Sequence, residues 1–241
     1  MSENASGEAS SGNGLTILHA YADRGAEDPC LNRHGDVTRL TINAYPNDYS
    51  TVIQADATEA PFGDDVQFDL GVGHPPCGGV SPMSDTGSGS RDDWPDLVPD
   101  CRELFQNHCD HYIIENKPRD SLRTPVILTG HMFQLGIECK RAFETSFPVD
   151  QPPQQQQLAE TSPFYYSEKP KGWWASVKGS SMEFSKEHLA KNTIPAAYLD
   201  YLLQHYYKAV ETGNLPDYSE YDKKMDTRRA RESNESLSAF Q

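Results

Sequence analysis

The chain has 241 residues, 36% of them hydrophobic and 10% aromatic, with a mean hydropathy of -0.70. That suffices for one large domain with a small extra lobe but not for two full-sized domains, and the aromatic content with its Val/Ile/Leu clusters excludes a wholly disordered chain. The net charge of -15 argues, taken alone, against nucleic-acid binding; it is also what a protein working in concentrated salt carries, where the Debye length is about 3 Å at 1 M and phosphate repulsion is screened.

Residues 1 to 14 are Ser/Gly/Asn/Glu-rich and read as a disordered leader without the basic and apolar regions of a signal peptide. No run approaches the roughly 18 apolar residues of a membrane-spanning helix, so no membrane association is expected. The five cysteines form no CxxC pair, so neither a disulfide framework nor a metal site is suggested, and a reducing cytoplasm fits best.

Short apolar runs then recur at 15–21, 37–42, 51–55, 68–73, 111–115 and 125–130. This is the rhythm of a parallel α/β sheet, and it defines a core over 15–149. Between the fourth and fifth runs, residues 93–109 place Leu97, Cys101, Leu104, Phe105 and His108 at helical spacing, as a crossover helix would. The segment 150–163 is a low-complexity linker, and an aromatic and basic cluster completes a small lobe over 150–185. Residues 186–210 carry the apolar stripe of a long helix with Pro195 near its front, the segment returning to the core over 186–215. From 216 to 241 the tail is polar.

The string DLGVGHPPCGG ends an apolar strand in Pro75, Pro76 and Cys77. Open α/β sheets place reacting groups at the carboxyl ends of their strands; two prolines stiffen the backbone before the thiol and two glycines leave space beyond it. The next strand, HYIIENKP, ends in Glu115 and Asn116. In a parallel sheet both ends lie on one edge, which sets a nucleophile beside a proton donor. Read singly, Cys77 suits a buried turn and Glu115 a surface ion pair; the two together favour chemistry.

These two motifs resemble those of the DNA (cytosine-5)-methyltransferases, especially the short forms of viral genomes, and the resemblance extends over about residues 15 to 210. It implies a doubly wound, mostly parallel sheet of Rossmann-like, S-adenosylmethionine-dependent methyltransferase type, with a small recognition lobe. It further implies Cys77 as the nucleophile, Glu115 and Asn116 at the target base, and Arg141 steadying that base. Asp56, in VIQADATEAPF, matches an Asp that contacts the cofactor's adenine, and Asn192, in KNTIPAAYLDYLL, matches the segment that completes the cofactor pocket. Pro75, Tyr21, Gly25 and Asn43 fall beside the same pocket.

Where the family carries a glycine-rich loop, this chain has HAYADRGAED, with Gly25 the single glycine, and no acidic residue follows the second strand, where Thr41 and Asn43 stand. Arg24 is expected to turn inward and pair with the cofactor carboxylate in place of lost backbone contacts. Double-stranded DNA is the expected partner, with Phe164, Tyr165, Tyr166, Trp173 and Trp174 offering aromatic faces and Lys169, Lys171 and Lys178 meeting phosphates; a hydrophobic patch covering the sheet explains the same residues equally well. Two alternatives stay open: a degenerate methyltransferase that holds DNA without the cofactor, and an enzyme that uses Cys77 and Glu115 on a free nucleotide.

Overall fold

A computed structural model describes residues 14–43, 45–78, 94–155 and 166–213. The leader before residue 14, the polar tail, residues 156–165 of the linker region with Phe164 and Tyr165, and the stretch 79–93 lie outside the described residues.

Seven strands, β1 (Leu15–Ala20), β2 (Gly35–Thr41), β3 (Thr51–Gln54), β4 (Phe68–Gly73), β5 (Cys109–Asn116), β6 (Val126–Leu128) and β7 (Arg141–Thr145), form one sheet in the order β3-β2-β1-β4-β5-β7-β6. The first five are parallel, and β7 runs antiparallel between β5 and β6. The six expected runs all become strands. β7 was not among those runs because RAFET is short and half polar, so neither an apolar run nor clean alternation marks it.

The pleat sends Ile17, Val37, Leu70, Val72, Ile113 and Phe143 to one face, where they pack on Tyr198, Leu199, Leu202, Leu203 and Tyr206. Those five belong to helix α5 (Ala196–Thr212), which shares this face with α1 (Asp28–Leu31). The opposite face, with Leu18, Leu40, Tyr112 and Ile114, packs on Cys101, Leu104 and Phe105 of the crossover helix α2 (Val98–His108). Each such side chain removed from water stabilises the fold by about 1.5–3 kcal/mol. A Cβ at Gly71 or Gly73 would collide with Phe105 or Cys101, so the glycines of FDLGVG let α2 lie directly on β4.

The single helix expected over 186–210 is two, α4 (Lys186–Lys191) and α5, with α3 (Lys171–Lys178) before them. Ser185 caps the start of α4 through the His188 amide. The break falls at Thr193 to Pro195 because proline has no N–H and pushes its predecessor out of helical geometry, and Pro195 becomes the N-cap of α5. Leu189 of α4 packs with Trp174, Ala175 and Phe184, and with Ala26 and Ile137 of the body. The lobe therefore includes α4 and shares its core with the β1–α1 connection. No helix among the described residues is long and apolar enough to cross a membrane.

Candidate active site

The strand order reverses between β1 and β4, which pair with each other while their onward connections lead to opposite edges. A crevice opens at the carboxyl ends of strands at such a point. Side chains on one face of these ends form an uninterrupted polar row across the sheet. Arg39 Nε lies 3.5 Å from Asp28, whose other oxygen meets His19 Nδ1 at 2.5 Å. The His19 ring stands edge-on to His74 with centroids 4.9 Å apart. His74 Nδ1 lies 3.5 Å from Glu115, and Glu115 is held by Arg141 Nε at 2.9 Å.

Glu115 and Arg141 pair at one end of this row, with Asn116 and the turn that carries Cys77 beside them. Asn116, fully buried, donates from Nδ2 to the Pro75 carbonyl at 2.8 Å and accepts from the Lys117 amide. The end of β5 is thus stitched to the Pro-Pro-Cys turn. Arg119 adds a bond to the Pro76 carbonyl at 3.4 Å. Cys77 is half-buried and free, within electrostatic reach of Lys117 and Arg141. Burial alone would raise the pKa of Glu115; the approach of His74 at 3.5 Å and the charges of Arg141, His74 and Lys178 outweigh it and hold the carboxyl below its usual range. Arg141 also donates to the carbonyls of Lys140 and Lys191, so it is oriented from both sides.

The positions implied for the cofactor spread along the same edge. Tyr21, Asp23 and Gly25 all have left-handed backbone, with φ of 55°, 42° and 69°. The loop keeps the turn that glycines serve but builds two of its three left-handed positions from residues with a Cβ. A Cβ at Gly25 would strike Asp28 and Arg39, so here only glycine fits. The Tyr21 hydroxyl is buried without a hydrogen-bond partner among the described residues. Asp56 caps the short turn after β3 by accepting from Thr58 N at 2.9 Å and stays exposed, as does Asn43. Ile42, at the end of β2, is 65% exposed. An apolar surface, a carboxylate and an unpartnered hydroxyl on neighbouring strand ends suit an adenosine group. Asn192 is exposed and approaches His188 through its Nδ2 at 3.4 Å.

Arg24 departs from expectation: it is exposed, with its guanidinium over the Tyr45 ring, 4.2 Å from the centroid. Stacking on an aromatic face competes with turning inward. Because a left-handed residue costs about 1–2 kcal/mol and glycine loses about 0.5–1 kcal/mol more entropy on folding, Asp23→Gly is expected to raise stability by roughly 0.5 kcal/mol, read from urea unfolding. A lower midpoint would show that the Asp23 contact to His188, 3.6 Å away, outweighs the strain.

The lobe divides the expected DNA-binding residues. Trp173 is half-exposed with Lys169 Nζ 5.3 Å from its ring, and Lys171 is half-exposed at the start of α3. Lys186 and Lys191 stand over Tyr166. Trp174 is instead core: it is buried in the lobe with its indole N–H donating to the Tyr166 carbonyl at 2.9 Å. Lys178 is not a surface cation either. It is 1% exposed and donates to the Thr193 carbonyl at 2.6 Å and to Cys139 Sγ at 3.1 Å, and burial depresses its pKa. Helical spacing puts Trp174 and Lys178 four apart on one face, the face that packs down.

No family model and no curated protein matches the chain. Solved structures with some similarity include a protein of Thermoplasma acidophilum, at 11% identity and TM-score 0.36 over 55% of this chain and 78% of that one. A 23S rRNA methyltransferase follows at 16% identity and TM-score 0.29, over 43% of this chain and 40% of its own. The plantazolicin methyltransferase BpumL, solved with a monoazolic desmethylPZN analog and SAH, stands at 15% identity and TM-score 0.30 over 44% of this chain and 40% of its own. This chain thus spans well under two thirds of the last two proteins. Similarity at this level identifies neither reaction nor substrate, and the architecture stands on the strand order and register themselves.

Proposed function

We propose that the chain is an S-adenosylmethionine-dependent methyltransferase that modifies carbon 5 of cytosine in double-stranded DNA. The observation that carries this reading is the placement of Cys77 and Glu115 beyond the ends of adjacent strands on one edge, where Asn116 ties β5 to Pro75 and Arg141 joins Glu115 to the base of the lobe. A doubly wound, mostly parallel sheet is the type that the resemblance implies, and the exposed Ile42 and Asp56 with Tyr21 fit the adenosine end of the cofactor.

A cytosine inside a duplex is out of reach, so it is extruded at a cost of a few kcal/mol in lost stacking and pairing. Cys77 Sγ then bonds to ring carbon 6. Glu115, a carboxylate beside Arg141, takes the proton that the Cys77 thiol gives up and passes it to ring nitrogen 3 as the sulfur adds, while Arg141 fixes the carboxylate against the incoming base. S-adenosylmethionine supplies the methyl group to carbon 5. Loss of the carbon 5 proton to water, elimination of Cys77 and return of the nitrogen 3 proton through Glu115 restore the ring. The test is incubation with S-adenosylmethionine and a duplex containing 5-fluorocytosine, where loss of the carbon 5 substituent is blocked. A covalent protein–DNA band on a denaturing gel, absent with Cys77→Ser, is the expected result; no band from the wild type refutes the covalent mechanism.

A second reading, a relic that holds DNA but not the methyl donor, draws on the side chains at Tyr21 and Asp23 in the loop. Titration calorimetry with S-adenosylmethionine separates the two, since no heat at millimolar cofactor in high salt favours the relic. DNA contacts fall to Trp173, Lys169 and Lys171, with high ionic strength letting an acidic body approach phosphate. Replacing both lysines by alanine is expected to weaken binding to all duplex sequences alike and to reduce the salt slope by about two. Fluorescence anisotropy of a labelled duplex over a salt series reads this; an unchanged slope places the DNA elsewhere.

A further inference from the structure

We propose that His19, Glu27 and His74 bind a divalent metal ion of the zinc class at the crevice between β1 and β4. One donor atom from each residue can be chosen so that all three lie within 4.8 Å of one another. The residues come from three segments: the buried end of β1, the residue before α1, and the residue after β4. No spacing in the sequence reveals such a set.

The independent observation is the state of His19. It is 0% exposed, and its Nδ1 meets Asp28 Oδ1 at 2.5 Å. A carboxylate only accepts, so Nδ1 carries a hydrogen, and the neutral ring in that tautomer presents the Nε2 lone pair. That Nε2 is buried and has no hydrogen-bond partner among the described residues. A buried acceptor without a donor costs about 1–3 kcal/mol, and a ligating histidine whose other nitrogen is fixed by a carboxylate is the usual arrangement around a metal. Asp28 is itself held by Asn47 Nδ2 at 2.8 Å and Ser50 Oγ at 2.6 Å, so the imidazole is locked in orientation.

The other two donors are also available. Glu27 uses one carboxylate oxygen to accept from the Ile194 amide at 2.7 Å, which leaves the second oxygen. Both ring nitrogens of His74 are buried without a hydrogen-bond partner among the described residues, with Nδ1 3.5 Å from Glu115. Ligand atoms on a tetrahedral zinc with bonds of about 2.0–2.1 Å stand roughly 3.3 Å apart, so the widest gap closes by about 1.5 Å through small side-chain rotations. Two imidazoles and one carboxylate select zinc, cobalt or nickel over magnesium or calcium. They leave one coordination position and one formal positive charge, which hydroxide or a small anion would satisfy. The inference does not depend on the proposed methyl transfer.

Titration of the chelator-treated full-length protein with Co(II) tests it. The expected result is a set of visible d–d bands of tetrahedral intensity, without thiolate charge transfer, saturating at one equivalent and displaced by Zn(II), together with a rise in Tm. His74→Gln, a change at a half-buried position, should weaken Co(II) binding by about 100-fold or more, since even outer partners of metal ligands account for 10–100-fold. His19→Gln should do the same if it folds, and Cys77→Ser should leave the spectrum unchanged. Absence of d–d bands at excess Co(II), thiolate charge transfer, or a His74→Gln protein that binds as the wild type does would each overturn the proposal.

Discussion

Replacing Cys77 with alanine is expected to lower methyl transfer to duplex DNA by roughly 10³-fold or more, because removing a covalent nucleophile removes the path rather than one contact along it. Folding should survive. Cys77 is half-buried in the turn after β4, and that turn is fixed by Asn116 and Arg119 through the backbone carbonyls of Pro75 and Pro76, not through the thiol. Glu115→Gln should cost about 10²–10⁴-fold, the range for a positioned proton-transfer group. Here stability falls as well, since the amide leaves the Arg141 charge uncompensated at 2.9 Å. Tritiated methyl incorporation, with circular dichroism on each variant, checks both. Wild-type incorporation by Cys77→Ala would remove the covalent step, and incorporation by Glu115→Gln within tenfold of wild type would leave Glu115 a purely structural partner of Arg141.

The sheet was legible because buried parallel strands announce themselves as apolar runs, and the placement of Cys77 and Glu115 on one edge because each lies at or just beyond the end of such a run. The polar row was not. His19 sits in LTILHAY and Arg39 in VTRLTI, where a polar residue among apolar ones reads as the solvent side of a strand. Periodicity gives the alternation but not which face acquires a cover, and it is α1 and its flanking loop that turn this face into an interior. The same blindness worked in reverse in the lobe. Lys178 followed Lys169 and Lys171 in an aromatic and basic string, yet its place on α3 buries it against Thr193 and Cys139. The aromatic and basic string suited a nucleic-acid surface and a hydrophobic patch equally; packing leaves Trp173 and Lys169 partly exposed and places Trp174 in the core.

Glu144→Ala is expected to destabilise the protein by about 3–5 kcal/mol, the range for removing one partner of a buried ion pair. Glu144 is fully buried on β7 and receives Arg102 in a two-pronged bond, at 2.5 Å from Nε and 2.6 Å from Nη2. It also accepts from the Tyr112 hydroxyl at 3.2 Å and the Arg123 amide at 2.7 Å. Four donors thus converge on one carboxylate between α2, β5 and the loop before β6, and alanine leaves all four without it. At about 2–4 °C per kcal/mol for a domain of this size, Tm should fall by roughly 6–20 °C. Desolvation makes such a pair expensive to form even when its geometry is good. The double variant Arg102→Met with Glu144→Leu should therefore recover much of the loss, apart from the bonds of Tyr112 and Arg123. Calorimetry on the two single variants and the double separates these contributions. A Glu144→Ala protein that melts within about 2 °C of wild type would show that water replaces the carboxylate, and that β7 is held beside β5 by its backbone ladder and by Phe143 alone.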